Sequence, residues 1–110
     1  MNWISLTDEH QLQEIKEQSK QQPVVIFKHS TRCSISSMAK NRLEREKPAD
    51  NVTFYYLDLI RYREISNKIA EEFHVHHESP QVLLIKNGEC AYEESHNGIN
   101  MADIEVQGAA

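Results

Sequence analysis

The stretch PVVIFKHSTRCSISSMA, residues 23–39, decides the fold. Its apolar run at residues 24–27 is rich in β-branched side chains, which is typical of a strand covered on both faces. A short polar turn follows, and Cys33 then opens a predicted helix. In open α/β sheets, ligands bind beyond the carboxyl ends of the parallel strands. The pattern therefore places Cys33 where such a sheet would hold its ligand.

Strands and helices alternate on either side of this stretch. We expect a short strand at residues 3–6, a helix capped by Thr7, a second interior strand at residues 52–60 and a helix from about Tyr62. The helix after Cys33 should end before Pro48. Its predicted inner face consists of Ile35, Met38, Ala39 and Leu43. This order predicts parallel strands joined by right-handed crossovers.

The last third of the chain no longer alternates strands with helices. Asn87-Gly88 separates two short apolar runs, and this dipeptide tolerates the positive φ angles of a tight hairpin. Asn100 should cap a final helix that Gly108 ends. The sum is an α/β fold with a mixed sheet, a βαβ half followed by a ββα half, flanked by helices. We expect residues 1–110 to form a single domain.

Composition narrows the classes of function. The net charge of -5 argues against nucleic acid as a partner, because phosphate binding relies on basic faces. No apolar stretch is long enough to span a bilayer, so we expect no membrane partner, and the first residues do not resemble a secretory signal. Two cysteines do not suggest a disulfide framework. A soluble protein of the reducing cytoplasm is the expectation.

Cys33 is the candidate nucleophile. A thiol at a helix N-terminus faces unpaired backbone N–H groups and the positive end of the helix dipole, and both favour the thiolate. Lys28, His29 and Arg32 make this segment locally basic in an acidic chain, which favours an anionic small molecule. The alternative is that Cys33 is only a small residue at a helix start.

Ser36 stands where many redox enzymes have a second cysteine. A serine hydroxyl cannot attack a mixed disulfide at neutral pH, so the site is expected to be monothiol. We expect Ser36 to donate a hydrogen bond to the Cys33 sulfur across the first turn. The alternative is an ordinary serine of the first helical turn.

Ser79-Pro80 immediately precedes a predicted strand. X-Pro bonds are the ones that adopt the cis form in folded proteins. A cis bond here would expose the backbone of Ser79 beside Cys33, where an extended client could pair with it. A trans proline that begins the strand is the alternative.

These features together resemble the thioredoxin superfamily over nearly the whole chain. More narrowly, KHSTRCSISSMA at residues 28–39 and HESPQVLLIKNG at residues 77–88 resemble the monothiol bacilliredoxins of the bacillithiol system. The resemblance implies a thioredoxin-like fold, a cis Ser79-Pro80 bond and Cys33 as nucleophile. The family commonly has proline directly after the cysteine, where this chain has Ser34, which can cap the helix instead.

The resemblance also implies a substrate, a protein cysteine capped by a low-molecular-weight thiol, usually bacillithiol. Cys33 would take the cap from the client, and a second low-molecular-weight thiol or a disulfide reductase would free it. Lys28, Arg32 and Arg61 would bind carboxylates of the thiol, and His77 would shape the site. No metal is expected.

Other interpretations of the sequence remain open. His74, His76 and His77 invite a zinc site, although no further ligand completes it in sequence. Cys90 is expected to be a half-buried side chain, with a resolving role as the alternative. Two rival functions also remain: a glutaredoxin-like carrier of an iron–sulfur cluster, and a thioredoxin-like module that only binds partners.

Overall fold

A computed structural model describes all 110 residues. One five-stranded mixed sheet has the strand order β1-β3-β2-β4-β5. The elements are β1 (Trp3–Ser5), α1 (His10–Gln18), β2 (Val24–His29), α2 (Ser34–Arg45), β3 (Thr53–Asp58), α3 (Arg63–Phe73), β4 (Gln81–Lys86), β5 (Glu89–Ser95) and α4 (Met101–Ala109). Strands β1, β2 and β3 are parallel, whereas β4 and β5 run antiparallel to their neighbours. The predicted fold class is confirmed.

Strand β2 is the centre of the sheet and is buried along its whole length. It pairs with β3 on one side and β4 on the other, with His29 opposite Asp58 and Lys28 opposite Gln81. Because side chains alternate along a strand, β2 contributes to two cores. Ile26 belongs to the core beneath α1 and α3, and Phe27 to the core beneath α2 and α4.

The helices cover both faces of the sheet. The inner faces of α1 and α3 consist of buried apolar residues, Leu12 and Ile15 in α1 and Ile69 and Phe73 in α3. The prediction for α2 is wrong at two positions. Ala39 and Leu43 are buried, but Ile35 and Met38 are 43% and 60% exposed, and Ser36 takes the inner position. None of the helices has the length and apolar character needed to cross a membrane.

Turn and cap residues fix the element ends, with two corrections. Asn87 and Gly88 have φ of 54° and 79°, as the predicted hairpin requires. Asn100 caps α4 by accepting a 2.8 Å bond from the Asp103 N–H. Gly108 does not end α4, which continues through Ala109.

The start of α1 differs from the prediction as well. Thr7 does not cap this helix, which begins at His10. The Asp8 carboxylate accepts the His10 N–H at 2.8 Å instead, and the Gln11 side chain accepts the Thr7 N–H at 2.7 Å. The Asp8 side chain therefore bonds the His10 N–H, which a cap at Thr7 would have served, while Gln11 bonds the N–H of Thr7 itself.

Candidate functional site

Cys33 is the N-cap residue of α2, directly after the carboxyl end of β2, and is partly exposed. Its backbone N–H donates to the Ser30 carbonyl at 3.2 Å, and its carbonyl accepts the Ser37 N–H at 3.1 Å. No side chain caps the first turn. The backbone N–H groups of that turn therefore remain available to a negatively charged sulfur or to the oxygen atoms of a ligand.

Ser36 does not serve the Cys33 sulfur as expected. Its hydroxyl is buried, accepts the Ser30 N–H at 3.0 Å and lies 2.8 Å from His29 Nδ1. The reason is the inward orientation of Ser36, which points the hydroxyl at the end of β2 rather than along the helix surface. Ser36 thus links α2 to the turn that carries Cys33.

His29 is a further candidate for a functional role. From the sequence, it was considered only as one of the residues that make this segment basic. The residue is 5% exposed, and its ring packs against Phe27 and Tyr56, with centroids 5.8 Å and 5.5 Å away. Burial lowers the pKa of His29, the Lys40 ammonium lowers it further, and the Asp58 carboxylate partly opposes this shift. Burial thus favours a neutral imidazole at this position, rather than a cation for an anionic ligand.

The loop before β4 carries a cis Ser79-Pro80 bond. Since Lys28 pairs with Gln81, this loop lies beside the end of β2 from which Cys33 follows. The Pro80 carbonyl accepts the His96 N–H at 3.1 Å, whereas the backbone of Ser79 makes no hydrogen bond within the protein. The Ser79 hydroxyl is also buried without a partner. An unpaired backbone segment therefore lies at the same end of the sheet as Cys33.

Lys28 does not present its charge at this end of the sheet, contrary to the expectation that it binds carboxylates. It is 0% exposed and turns toward α3, where Nζ donates to the Ser66 carbonyl at 3.2 Å and lies 3.3 Å from His77 Nδ1. Burial lowers the pKa of Lys28 to about 8. Alternation along β2 explains the difference, because Lys28 points to the opposite face from Phe27 and His29.

Of the cations predicted to bind the thiol, Arg32 and Arg61 are exposed at this end of the sheet. Arg32 precedes Cys33 and forms no ion pair within the protein. Arg61, in the turn after β3, lies over the Tyr62 ring at 5.4 Å. Arg61 also lines a groove of about 240 Å³ together with Thr7 and Asp58. The Asp58 carboxylate fixes this turn by accepting the Arg61 N–H at 3.3 Å.

Comparison with known proteins identifies the family. The family described as Monothiol bacilliredoxin BrxC matches residues 4–104. The chain belongs to the monothiol bacilliredoxin family. The match includes both segments that carry the resemblance, the one around Cys33 and the one around Pro80.

Solved structures agree on the fold of this bacilliredoxin. A protein provisionally described as an oxidoreductase with a thioredoxin fold is 31% identical, with a TM-score of 0.79 over 94% of this chain and 91% of its own. Thioredoxin from Malassezia sympodialis is 22% identical, with a TM-score of 0.73 over 99% and 92%. Thioredoxin f from spinach chloroplast is 15% identical, with a TM-score of 0.70 over 96% and 92%. The last two establish the fold alone, and family and fold together indicate a redox-active thiol protein.

Ser34 is where this bacilliredoxin departs from the proline expected after the cysteine. It is the first residue of α2 and is exposed. Its side chain caps nothing, so the expected capping by Ser34 is absent. The helix nevertheless begins at this residue, because Cys33 itself has the extended N-cap conformation, with φ of -114° and ψ of 121°.

The histidines after α3 do not converge on one point. His74 ends α3 with φ of 55°, and the side chain of His76 is 90% exposed. His77 Nδ1 instead lies beside Lys28 and 3.4 Å from Ser66 Oγ, and burial, followed by the Lys28 charge, lowers its pKa. No group of three or more potential metal ligands occurs in the structure. His77 belongs to the loop that leads to Pro80, and its contacts with Lys28 and Ser66 connect this loop to β2 and α3.

Cys90 lies at the other end of the sheet. It pairs with Ile85, which is opposite Val24 at the start of β2. Its thiol donates to the Tyr92 carbonyl at 3.3 Å, and burial raises its pKa. These contacts support the expectation of a half-buried, unreactive side chain.

Proposed function

We propose that this bacilliredoxin removes low-molecular-weight thiol caps, bacillithiol in the first place, from protein cysteines by a monothiol mechanism in a reducing cytoplasm. The observation that carries the proposal is a partly exposed cysteine at the N-terminus of α2 with no second thiol at the same end of the sheet. Membership of the family supports the low-molecular-weight thiol as the cap.

The first step is a thiol–disulfide exchange. The Cys33 thiolate attacks the sulfur of the cap in a client–cap mixed disulfide, and the disulfide bond of the client breaks. The electron pair of that bond leaves with the client sulfur as a thiolate, and Cys33 now carries the cap. The unpaired N–H groups of the first turn of α2 stabilise the attacking thiolate before the step.

The second step regenerates Cys33. A further low-molecular-weight thiol, as its thiolate, attacks the cap sulfur, and Cys33 leaves as thiolate while the two small thiols become a disulfide. A separate disulfide reductase could deliver the same two electrons. Ser36 cannot replace either reductant, because its hydroxyl remains protonated and is already bonded to Ser30 and His29.

Recognition of the two substrates would use different residues. The Ser79 backbone, which lacks hydrogen bonds, can pair with an extended segment of an S-thiolated client. Arg32, directly before Cys33, and Arg61, in the turn after β3, are both exposed and would bind the carboxylates of the cap. Lys28 is not included, because it is buried beneath the site.

Mass spectrometry of a model protein with a single cysteine capped by bacillithiol tests the proposal. Without added thiol, wild type should remove the cap and retain it on Cys33 until bacillithiol is added, and Cys33→Ala should remove none. Cys90→Ala is the matched control and should act like wild type. Undiminished removal by Cys33→Ala would refute the scheme, and equal rates with a glutathione-capped protein would refute a preference for bacillithiol.

A further inference from the structure

The groove at the carboxyl ends of β1 and β3 holds two opposite charges. It has a volume of about 240 Å³ and is lined by polar side chains that include Ser5, Thr7, Asp58 and Arg61. Neither charge is neutralised within the protein, because no salt bridge includes Asp58 or Arg61. Such a groove is complementary to a small molecule that carries both an ammonium and a carboxylate group.

The Asp58 carboxylate has one oxygen bonded to the turn and one free. Oδ1 accepts the N–H groups of Ile60 and Arg61 at 3.1 Å and 3.3 Å. Oδ2 accepts no hydrogen bond within the protein and is not among the buried atoms that lack a partner, so it reaches solvent in the groove. Beyond it, the Arg61 guanidinium lies over the Tyr62 ring, where a second hollow of about 360 Å³ continues the groove. The free oxygen can accept from an ammonium group, and the guanidinium can donate to a carboxylate.

Asp58 lies close to the nucleophile in the sheet. It is opposite His29, and Cys33 follows His29 by four residues. The Cys33 N–H closes this segment into a turn by donating to the Ser30 carbonyl at 3.2 Å. Standard spacings along the chain and across the sheet therefore place the Cα atoms of Asp58 and Cys33 roughly 11 Å apart. The Cα atoms of a cysteine disulfide lie about 5.5 Å apart, so a nitrogen beside the cap sulfur reaches the space between Cys33 and the Asp58 carboxylate.

Side-chain contacts lead from α2 to the same groove. The Ser36 hydroxyl, in the first turn of α2, lies 2.8 Å from His29 Nδ1. The His29 ring packs against Tyr56, with 5.5 Å between the centroids, and Tyr56 lines the groove. The groove therefore opens on the face of the sheet that α2 covers, on the side of the helix N-terminus that carries Cys33.

The other side of α2 is apolar. Ile35 and Met38 are exposed there, and their helical spacing continues to Arg42. Arg42 donates to the His96 carbonyl at 3.3 Å, and the His96 N–H donates to the Pro80 carbonyl at 3.1 Å. This stripe therefore faces the loop that carries the cis proline. A charged cap finds no charged partner on Ile35 or Met38, so the groove is the side of α2 that suits it.

We propose that Asp58 is a specificity-determining residue that accepts a free ammonium group beside the sulfur of the cap, while Arg61 binds a carboxylate farther along the same groove. This inference rests on the proposed function, because it names the class of small thiol that Cys33 takes, one whose amine next to the thiol is unblocked. Glutathione is outside this class, since its cysteine nitrogen is part of a peptide bond. When Cys33 is capped by a small disulfide, its thiolate attacks one sulfur, the S–S bond breaks and the electron pair leaves with the other sulfur as a thiolate. The ammonium group keeps its proton throughout.

The test uses the full chain with Cys90→Ala, so that only Cys33 can be capped. Mass spectrometry measures the rates at which cystamine and oxidised 2-mercaptoethanol cap Cys33 at neutral pH. These disulfides have the same chain length and differ in an ammonium against a hydroxyl group, so the ratio of their rates reports the ammonium. Asp58→Asn keeps the oxygen that accepts the N–H groups of the turn and removes only the charge. It should lower the ratio about fivefold, the effect of one ion pair near the surface.

Two comparisons make the test specific. Asp50→Asn removes the same charge from an exposed residue before β3, at the other end of the sheet, and should leave the ratio unchanged. Cystine and its N,N′-diacetyl derivative differ in whether the amine is blocked, and Asp58→Asn should lower their rate ratio by a similar factor. A ratio that Asp58→Asn does not change overturns the inference, and so does an equal fall with Asp50→Asn.

Nuclear magnetic resonance tests the same inference without a change at Asp58. Backbone amide shifts at residues 58–61 should differ between the protein capped by cysteamine and the protein capped by 2-mercaptoethanol, whereas those at residues 96–98 should not. Differences confined to residues 96–98 would place the cap beside the cis proline and overturn the inference. These results leave the proposed function intact, whereas failure of Cys33 to accept a cap from any of the disulfides overturns the proposed function itself.

Discussion

Replacing Lys28 by methionine tests whether the amine is as thoroughly desolvated as its burial indicates. Lys28 is 0% exposed, and its Nζ contacts Ser66 and His77 without any carboxylate. Burial lowers its pKa from 10.5 to about 8. That difference corresponds to about 3 kcal/mol of folding free energy lost in holding the ammonium charged inside the protein. Methionine fills similar volume without a charge.

The pH dependence follows from the direction of the shift. Below pH 8 the amine is charged in both the folded and the unfolded chain, so the full cost applies. Between about pH 8 and 10.5 the unfolded chain keeps the proton that the folded protein has lost, so wild type gains stability as pH rises. The stability of Lys28→Met relative to wild type should therefore fall by about 2 kcal/mol between pH 7.5 and pH 10.

Urea unfolding of both proteins, with a reducing agent at each pH, measures this difference. Tyr56, Tyr92 and Cys90, whose pKa values are raised by burial, titrate in the same range but are common to both proteins and cancel. A difference that does not change with pH would refute the reasoning, because it would mean that the Lys28 amine reaches water. Lys28 would then return as a candidate for binding the carboxylates of the cap.

Three further predictions concern the site and the helices. Arg61→Ala should raise KM for a bacillithiol-capped protein severalfold with little change in kcat, whereas Arg45→Ala, an exposed arginine at the far end of α2, should change neither in steady-state assays. Asn100→Ala should lower the free energy of unfolding by about 1 kcal/mol in urea titrations, because it removes the cap of α4. Met38→Gln should change stability by less than about 0.5 kcal/mol, while Leu43→Ala should cost about 2–5 kcal/mol, as thermal or urea unfolding would show.

Much of the fold was predictable because its signals are local. The apolar run of β2 and the Asn87-Gly88 turn each indicate their own local geometry within a few residues. The inner face of α2 could not be predicted in this way, because Ile35 and Met38 have the spacing of a buried stripe. What decides that face is the hydrogen bonding of Ser36 to the end of β2, a tertiary contact that the helical period does not contain.

The candidate site, too, could be predicted from the sequence only in part. The places of Cys33 and of the Ser79-Pro80 loop follow from the order of strands and turns, whereas the cis form of that bond was implied only by the family resemblance. The environment of Lys28 and His29 does not, since both were interpreted as basic residues near the thiol. A signal was present, because neighbouring residues of one strand must point to opposite faces, so at most one of them could lie on the side of α2. Lys28 and His29 also belong to β2 itself, which is buried along its whole length, whereas Cys33 follows the end of that strand.

The separation of the two cysteines bears on how a cap must leave. Cys90 is level with the start of β2 and Cys33 follows its end, so the strand alone puts them about 16 Å apart. A disulfide needs Cα atoms within about 7 Å, so Cys90 cannot resolve a cap on Cys33 in this fold. Ser36 cannot resolve it either, because a hydroxyl is not a nucleophile toward sulfur at neutral pH. Under the proposed mechanism, every turnover would therefore draw its second thiol from outside the chain, and the exposed cations Arg32 and Arg61 would suit a small anionic thiol in both steps.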